Sequence, residues 1–161
     1  MEPSDQIPLC VKVVSALSED GLTLAVAESC TGGLIAKKIT DVPGSSAVFH
    51  GGVVSYVNRV KQTLLHVSRD DIIRFGAVSA PVSRQMAEGV RTLMHADLAL
   101  STTGVAGPDK DDFGNDVGTV YISIASEYGT HCYLCQFKGN REEIREAAAE
   151  YALELVLRHR L

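Results

Sequence analysis

The segment Thr23-Leu-Ala-Val-Ala27 is read as a buried strand, and it runs straight into the loop Glu28-Ser29-Cys30-Thr31-Gly32-Gly33. Leu34, Ile35, Ala36 and Ile39 then restart an apolar pattern at helical spacing. A strand, a glycine loop and a helix in that order are half of a crossover unit, and such a unit places strands side by side with helices across their faces. A second strand, Asp97-Leu-Ala-Leu-Ser101, ends in a second glycine loop, Thr102-Thr-Gly-Val-Ala-Gly-Pro108. Around these, residues 6–18 carry apolar positions at helical spacing and Gly21 stops that helix. Val53–Val57 is a β-branched strand, Asn58 is expected to cap a helix over Arg59–His66, and Ser79-Ala80-Pro81 opens another. Val117–Ala125 and His131–Phe137 make a hairpin, and the last helix begins at Asn140 with Glu143 completing a capping box. The pattern predicts a single α/β domain with a mixed sheet covered by helices, which 161 residues can fold around one core.

Composition removes several functions. Fifteen Lys and Arg against 20 Asp and Glu leave no basic excess for nucleic acid. No apolar run approaches the ~20 residues of a membrane span, and the first residues do not read as a secretory signal, so a cytoplasmic protein is expected. Cys132 and Cys135 form a CxxC on a strand, where a spacing of three sends the thiols to opposite faces, so buried reduced thiols are expected instead of a redox pair. No HxH or HExxH pattern is present, and Asp109, Asp111 and Gly114 open a calcium-like loop that fails at Phe113 and Val120, so no metal is expected.

The reactive groups cluster between residues 43 and 61. Pro43-Gly44-Ser45-Ser46 is a turn followed by an expected helix start, where Ser45 or Ser46 would stand among free backbone N–H groups able to hold an oxyanion. Tyr56 alternates with Ser55 and Val57 on the expected strand, and its phenol can orient an amine or relay a proton. Lys61, in the first turn after Asn58, meets the positive end of the helix dipole, which lowers an amine's pKa toward the range of a general base. Gly32 and Gly33 before a helix can cradle a phosphate, and the loop from Thr103 through Gly104 to Gly107 borders the same kind of crevice. Cys30, in a glycine loop at a helix start, is an alternative nucleophile. Arg141 and Arg145 lie in the first turns of the last helix, where the dipole disfavours cations, so an anionic partner such as a substrate phosphate or a surface salt bridge is expected.

Ala27-Glu-Ser-Cys-Thr-Gly-Gly33, Gly44-Ser-Ser, Gly51-Gly-Val-Val-Ser-Tyr56 with Asn58 and Lys61, Gly76-Ala-Val-Ser79, Thr103-Gly-Val-Ala-Gly-Pro108, Val117-Gly-Thr-Val120 and Gly139-Asn-Arg141 together resemble the CinA C-terminal family. The resemblance implies a nicotinamide-nucleotide amidohydrolase that converts nicotinamide mononucleotide to nicotinate mononucleotide and ammonia without a cofactor. It implies a catalytic serine and lysine at Ser46 and Lys61 with Tyr56 beside them, and pocket residues at Ser29, Thr103 and Arg141; Thr31, Gly32, Gly33, Ser45 and Gly104 are the adjoining substrate-binding candidates. The chain departs from the resemblance at Lys110-Asp111, where relatives usually carry Gly-Gly, and side chains there are expected to narrow the site or change the nucleotide that fits. A nucleotide-binding module without turnover is the alternative. The edge of the short hairpin predicts a homo-oligomer.

Overall fold

The computed structural model describes residues 7–160. Chain order runs through α1 (Leu9–Asp20), β1 (Leu24–Glu28), α2 (Leu34–Thr40), a 3₁₀ turn (Ser45–Ala47), β2 (Phe49–Val54), α3 (Asn58–Leu65), α4 (Arg69–Phe75), α5 (Ala80–Met94), β3 (Leu98–Gly104), β4 (Thr119–Ser126), β5 (Gly129–Gln136) and α6 (Arg141–His159). The strands form one mixed sheet in the order β2-β1-β3-β4-β5, in which β2, β1 and β3 are parallel and β4 and β5 complete an antiparallel hairpin edge. The expected α/β fold with helices on both faces is therefore present.

Alternation along the strands sorts the core into two layers. Leu24 and Val26 of β1, Leu98 and Leu100 of β3 and Ile122 and Ile124 of β4 pack with α1, α2 and α6. Ala25, Ala27 and Ala99 point the other way, onto α5 and α3. Small side chains on that second face suit a close helix, and Ser83 of α5 meets Ser123 at 2.7 Å across it. Gly89 of α5 lies closer still to α3, since a Cβ placed there would sit 2.0 Å from the Leu65 carbonyl oxygen. Gly89→Ala is expected to force the two helices apart and cost about 3 kcal/mol, read as a lowered urea midpoint with unchanged slope.

Several local expectations need correction. Ser45–Phe49 is not a helix start: only a single 3₁₀ turn forms over Ser45–Ala47, and β2 begins at Phe49. That strand ends at Val54, not Val57, so Tyr56 lies on the following loop with more than half its surface exposed. Val57, extended and without a side-chain cap, is the N-cap of α3, and Asn58 is its first helical residue. Helix α4 was not expected, although Ser68 caps it by accepting from Asp71 N. The capping box at Asn140 and Glu143 forms as read. Among the described residues no helix is long and apolar enough to cross a membrane.

Candidate active site

In a parallel sheet ordered β2-β1-β3, the chain leaves β1 toward one side and returns on the other, opening a crevice beyond the carboxyl ends of the strands. A cavity of about 280 Å³ occupies that position. Its lining comes from the loop after β1 (Ser29, Cys30), Tyr56 with Asn58 and Lys61 of α3, the loop before α5 (Ala77, Val78), the end of β3 and the loop after it (Thr103 to Gly107, Asp109, Asp111) and Arg141.

Ser29 is held at the tip of the sheet. Its N–H donates to the Thr102 carbonyl at 2.9 Å, and the Ser55 N–H donates to the Glu28 carbonyl at 2.8 Å, so the ladders on both sides of β1 continue to its last residues. Lys61 of α3 is almost completely buried and reaches back over the end of β2. Its Nζ donates to the Ser55 carbonyl at 2.6 Å, to the Ser29 Oγ at 3.0 Å and to the Tyr56 carbonyl at 3.3 Å. Burial, the dominant cause, lowers its pKa to about 8, against a smaller opposing effect of Cys30. The low pKa expected from the helix dipole is present, but desolvation produces it. Tyr56 orients the amine through its main-chain carbonyl, while its phenol turns outward.

These three contacts set the direction of the amine. Tetrahedral nitrogen has one position for Cε and three for partners; with two N–H groups on the Ser55 and Tyr56 carbonyls, the third position faces Ser29. In the neutral amine that position is the lone pair, so Lys61 is arranged to accept a proton from the Ser29 hydroxyl.

The serine expected beside Lys61 is Ser46, and the structure places Ser29 there instead. Ser46 is exposed on the 3₁₀ turn that precedes β2, whereas Lys61 works at the strand's far end. Six β2 residues separate the two ends by about 20 Å. Ser45 is buried in the same turn and does not line the cavity. Thr31 is also buried beneath it, its Oγ1 donating to Glu28 Oε1 at 2.7 Å and meeting Thr102 Oγ1 at 2.7 Å. Gly32 and Gly33 do not line it either, and the phosphate cradle expected of them is already filled: Glu28, buried, accepts from the N–H groups of Ile35 (2.8 Å) and Ala36 (3.1 Å) at the start of α2.

Thr103, Gly104 and Arg141 do line the cavity. Thr103 Oγ1 donates to the Ala77 carbonyl at 2.8 Å, joining two of the walls. Arg141 crosses the mouth, donating from Nη1 to the Gly107 carbonyl at 2.6 Å and from Nη2 to the Tyr56 Oη at 3.0 Å. Cys30 is an unsuitable nucleophile, because burial pushes its thiol up to about 11 against the lowering effect of a Thr102 hydrogen bond.

The two unusual loop residues divide their work. Lys110 turns outward to pair with Asp116 at 2.8 Å, both exposed. Asp111 lines the cavity and folds the loop, accepting from Phe113 N (3.1 Å), Asn115 N (2.8 Å) and Asn115 Nδ2 (2.7 Å). Lys110→Gly is expected to leave substrate KM within about twofold. Asp111→Gly is expected to raise it about tenfold by loosening the wall, as steady-state kinetics will show.

Residues 7–160 match the CinA C-terminal domain family. The chain belongs to that family. It is 49% identical over 149 residues to a CinA-like protein of Desulfotalea psychrophila, covering 92% of this chain and 36% of that protein. It is 50% identical over 149 residues to a CinA-like protein of Geobacter sulfurreducens, again covering 92% and 36%. This CinA-domain chain thus spans about a third of the length of these curated relatives. Among solved structures, the competence/damage inducible protein CihA from Agrobacterium tumefaciens superposes with a TM-score of 0.90 at 36% identity, covering 93% of this chain and 92% of that one. The competence damage-inducible protein A (ComA) from Klebsiella pneumoniae gives 0.92 at 31% identity, covering 95% and 97%.

Proposed function

We propose that this CinA domain is a serine amidohydrolase that acts on nicotinamide mononucleotide, with Ser29 as nucleophile and Lys61 as general base. The observation that carries the reading is the 3.0 Å contact between Lys61 Nζ and Ser29 Oγ at the floor of the cavity. The substrate comes from the family resemblance, and the cationic Arg141 at the mouth suits the phosphate of a nucleotide whose carboxamide enters first.

Neutral Lys61 takes the Ser29 proton as Oγ attacks the carboxamide carbon, and the carbonyl π pair moves onto oxygen. Backbone N–H groups around the cavity hold that oxyanion. As the intermediate collapses, the C–N bond breaks and the Lys61 ammonium protonates the leaving nitrogen, which departs as ammonia. Water then attacks the acyl ester and gives its proton to Lys61; the Ser29 oxygen leaves with the bond pair and recovers that proton. Each half-reaction returns Lys61 to the neutral form.

The test is ammonia release from nicotinamide mononucleotide by the purified protein with EDTA present. Stoichiometric nicotinate mononucleotide and ammonia are expected. Nucleotide binding by calorimetry without any turnover over long incubation would replace this reading with that of a binding module.

A further inference from the structure

Charges of both signs line the cavity. Lys61 and Arg141 are its cationic side chains, and Asp109 and Asp111 are its carboxylates. Arg145, for which an anionic partner or a surface salt bridge is expected, adds no cation there. It is spent on main-chain oxygens, donating through Nε to the Cys30 carbonyl at 3.1 Å and through Nη2 to the Thr31 carbonyl at 3.0 Å. Lys110 lies between the two aspartates in sequence, yet it pairs outward with Asp116 and offsets neither. Asp111 is held in place by the three N–H groups of its own loop. Asp109 is exposed on the wall and, among the described residues, has no hydrogen-bond or ion-pair partner.

We propose that Asp109 and Asp111 are specificity-determining residues that select a positively charged pyridinium ring over a neutral ring of the same shape. The inference rests on the nicotinamide mononucleotide reading, in which the ring nitrogen bears the glycosidic bond and a formal positive charge. To be attacked, the carboxamide carbon must come within about 3.5 Å of Ser29 Oγ, and that oxygen lies 3.0 Å from Lys61 Nζ. The ring follows its carboxamide, so its charge enters a space that already holds the Lys61 amine, mostly protonated at neutral pH. A round cavity of 280 Å³ is only about 8 Å across, and over such distances like charges weaken binding several-fold unless opposite charges offset them. The two aspartates are the lining residues that can do so. Arg141 at the mouth suits the phosphate, so each charge of the nucleotide meets its opposite on the protein. A relative with Gly-Gly in place of Lys110-Asp111 would lack one of these carboxylates, and this chain is expected to hold the ring charge more firmly.

Calorimetry with two probes tests the proposal. One is nicotinamide mononucleotide; the other is the C-nucleotide in which a neutral benzamide ring replaces the pyridinium while carboxamide, ribose and phosphate are unchanged. Ser29→Ala is the background, so that neither probe is consumed. There nicotinamide mononucleotide is expected to bind about tenfold more tightly than the C-nucleotide. Asp109→Asn and Asp111→Asn are each expected to cut that preference about threefold, and the pair together to remove most of it. Affinity for the C-nucleotide should stay the same or improve, because its phosphate then meets fewer carboxylates. Added sodium chloride should shrink the preference more in the parent than in the double variant. Equal binding of the two probes, a preference that survives both substitutions, or binding of neither probe would each overturn the proposal. If Asp111→Asn loosens its loop, read as a lowered melting midpoint, Asp109→Asn decides alone, since it breaks no hydrogen bond. Ammonia release by the wild type with equal affinity for both probes sustains the amidohydrolase reading and overturns this one; a carboxylate-dependent preference without ammonia release does the reverse.

Discussion

Ser29→Ala is expected to reduce ammonia release from nicotinamide mononucleotide by at least a factor of about a thousand, because it removes the atom that forms the acyl bond. Ser46→Ala is expected to stay within about twofold of wild type, since an exposed turn serine at the opposite end of β2 touches nothing in the cavity. The pair of variants discriminates sharply between the two serines. Equal rates for both would remove Ser29 from the chemistry, and the reverse result would return the role to Ser46. The melting curve of Ser29→Ala should remain close to wild type, because the strand-end hydrogen bonds that hold this position are made by main-chain groups that the substitution keeps.

The second large effect is the pH dependence of Lys61. Burial lowers its pKa in the folded protein from 10.5 to about 8, so kcat/KM is expected to rise with pH through a midpoint near that value; at pH 7 roughly a tenth of the molecules carry the neutral amine. Lys61→Arg keeps the charge and loses the base, and should be inactive across the whole range. Stability follows the same group. Below pH 8 the folded and unfolded chains both hold the proton, and the folded state bears the cost of a buried ammonium. Between pH 8 and 10.5 the unfolded chain holds more protons than the folded one, so stability rises with pH. Above 10.5 both are neutral and the cost is gone. The difference in unfolding free energy between wild type and Lys61→Met should therefore rise by about 3 kcal/mol across that window. Urea titrations at several pH values measure it, and a flat difference would show that Lys61 titrates normally in the fold.

Much of the architecture was legible because it is written locally. The buried strand before the first glycine loop, the stop at Gly21, the strand into the second loop and the Asn140 capping box each depend on neighbours within a few residues. The failures share a physical cause. Gly51 and Gly52 mask the true start of β2, so the β-branched pattern begins too late and carries Tyr56 with it; the short apolar stripe of α4 gives little helical period, although Ser68 with Asp70 and Asp71 after it is a start signal. Lys61 stands out in the sequence as an unusual lysine, but the hydroxyl it meets lies 32 positions earlier, on the loop after β1. Proximity in sequence points to Ser45 or Ser46, and the family resemblance to Ser46; proximity in space is set by the parallel pairing of β1 with β2. One signal for Ser29 was present, since a serine at a strand end followed by a tight glycine turn and a helix has the form of a nucleophile elbow.

Glu28 gives the first crossover an unusual electrical character. In nucleotide-binding loops of similar topology the helix start is left open for an external anion; here a buried carboxylate of the chain's own already occupies it. Inorganic phosphate and sulfate should therefore compete weakly at this loop. The unit keeps the outline of a phosphate-binding motif with its polarity reversed, and the position that would have held a ligand's charge holds the chain's own carboxylate, bonded to Thr31 and the start of α2.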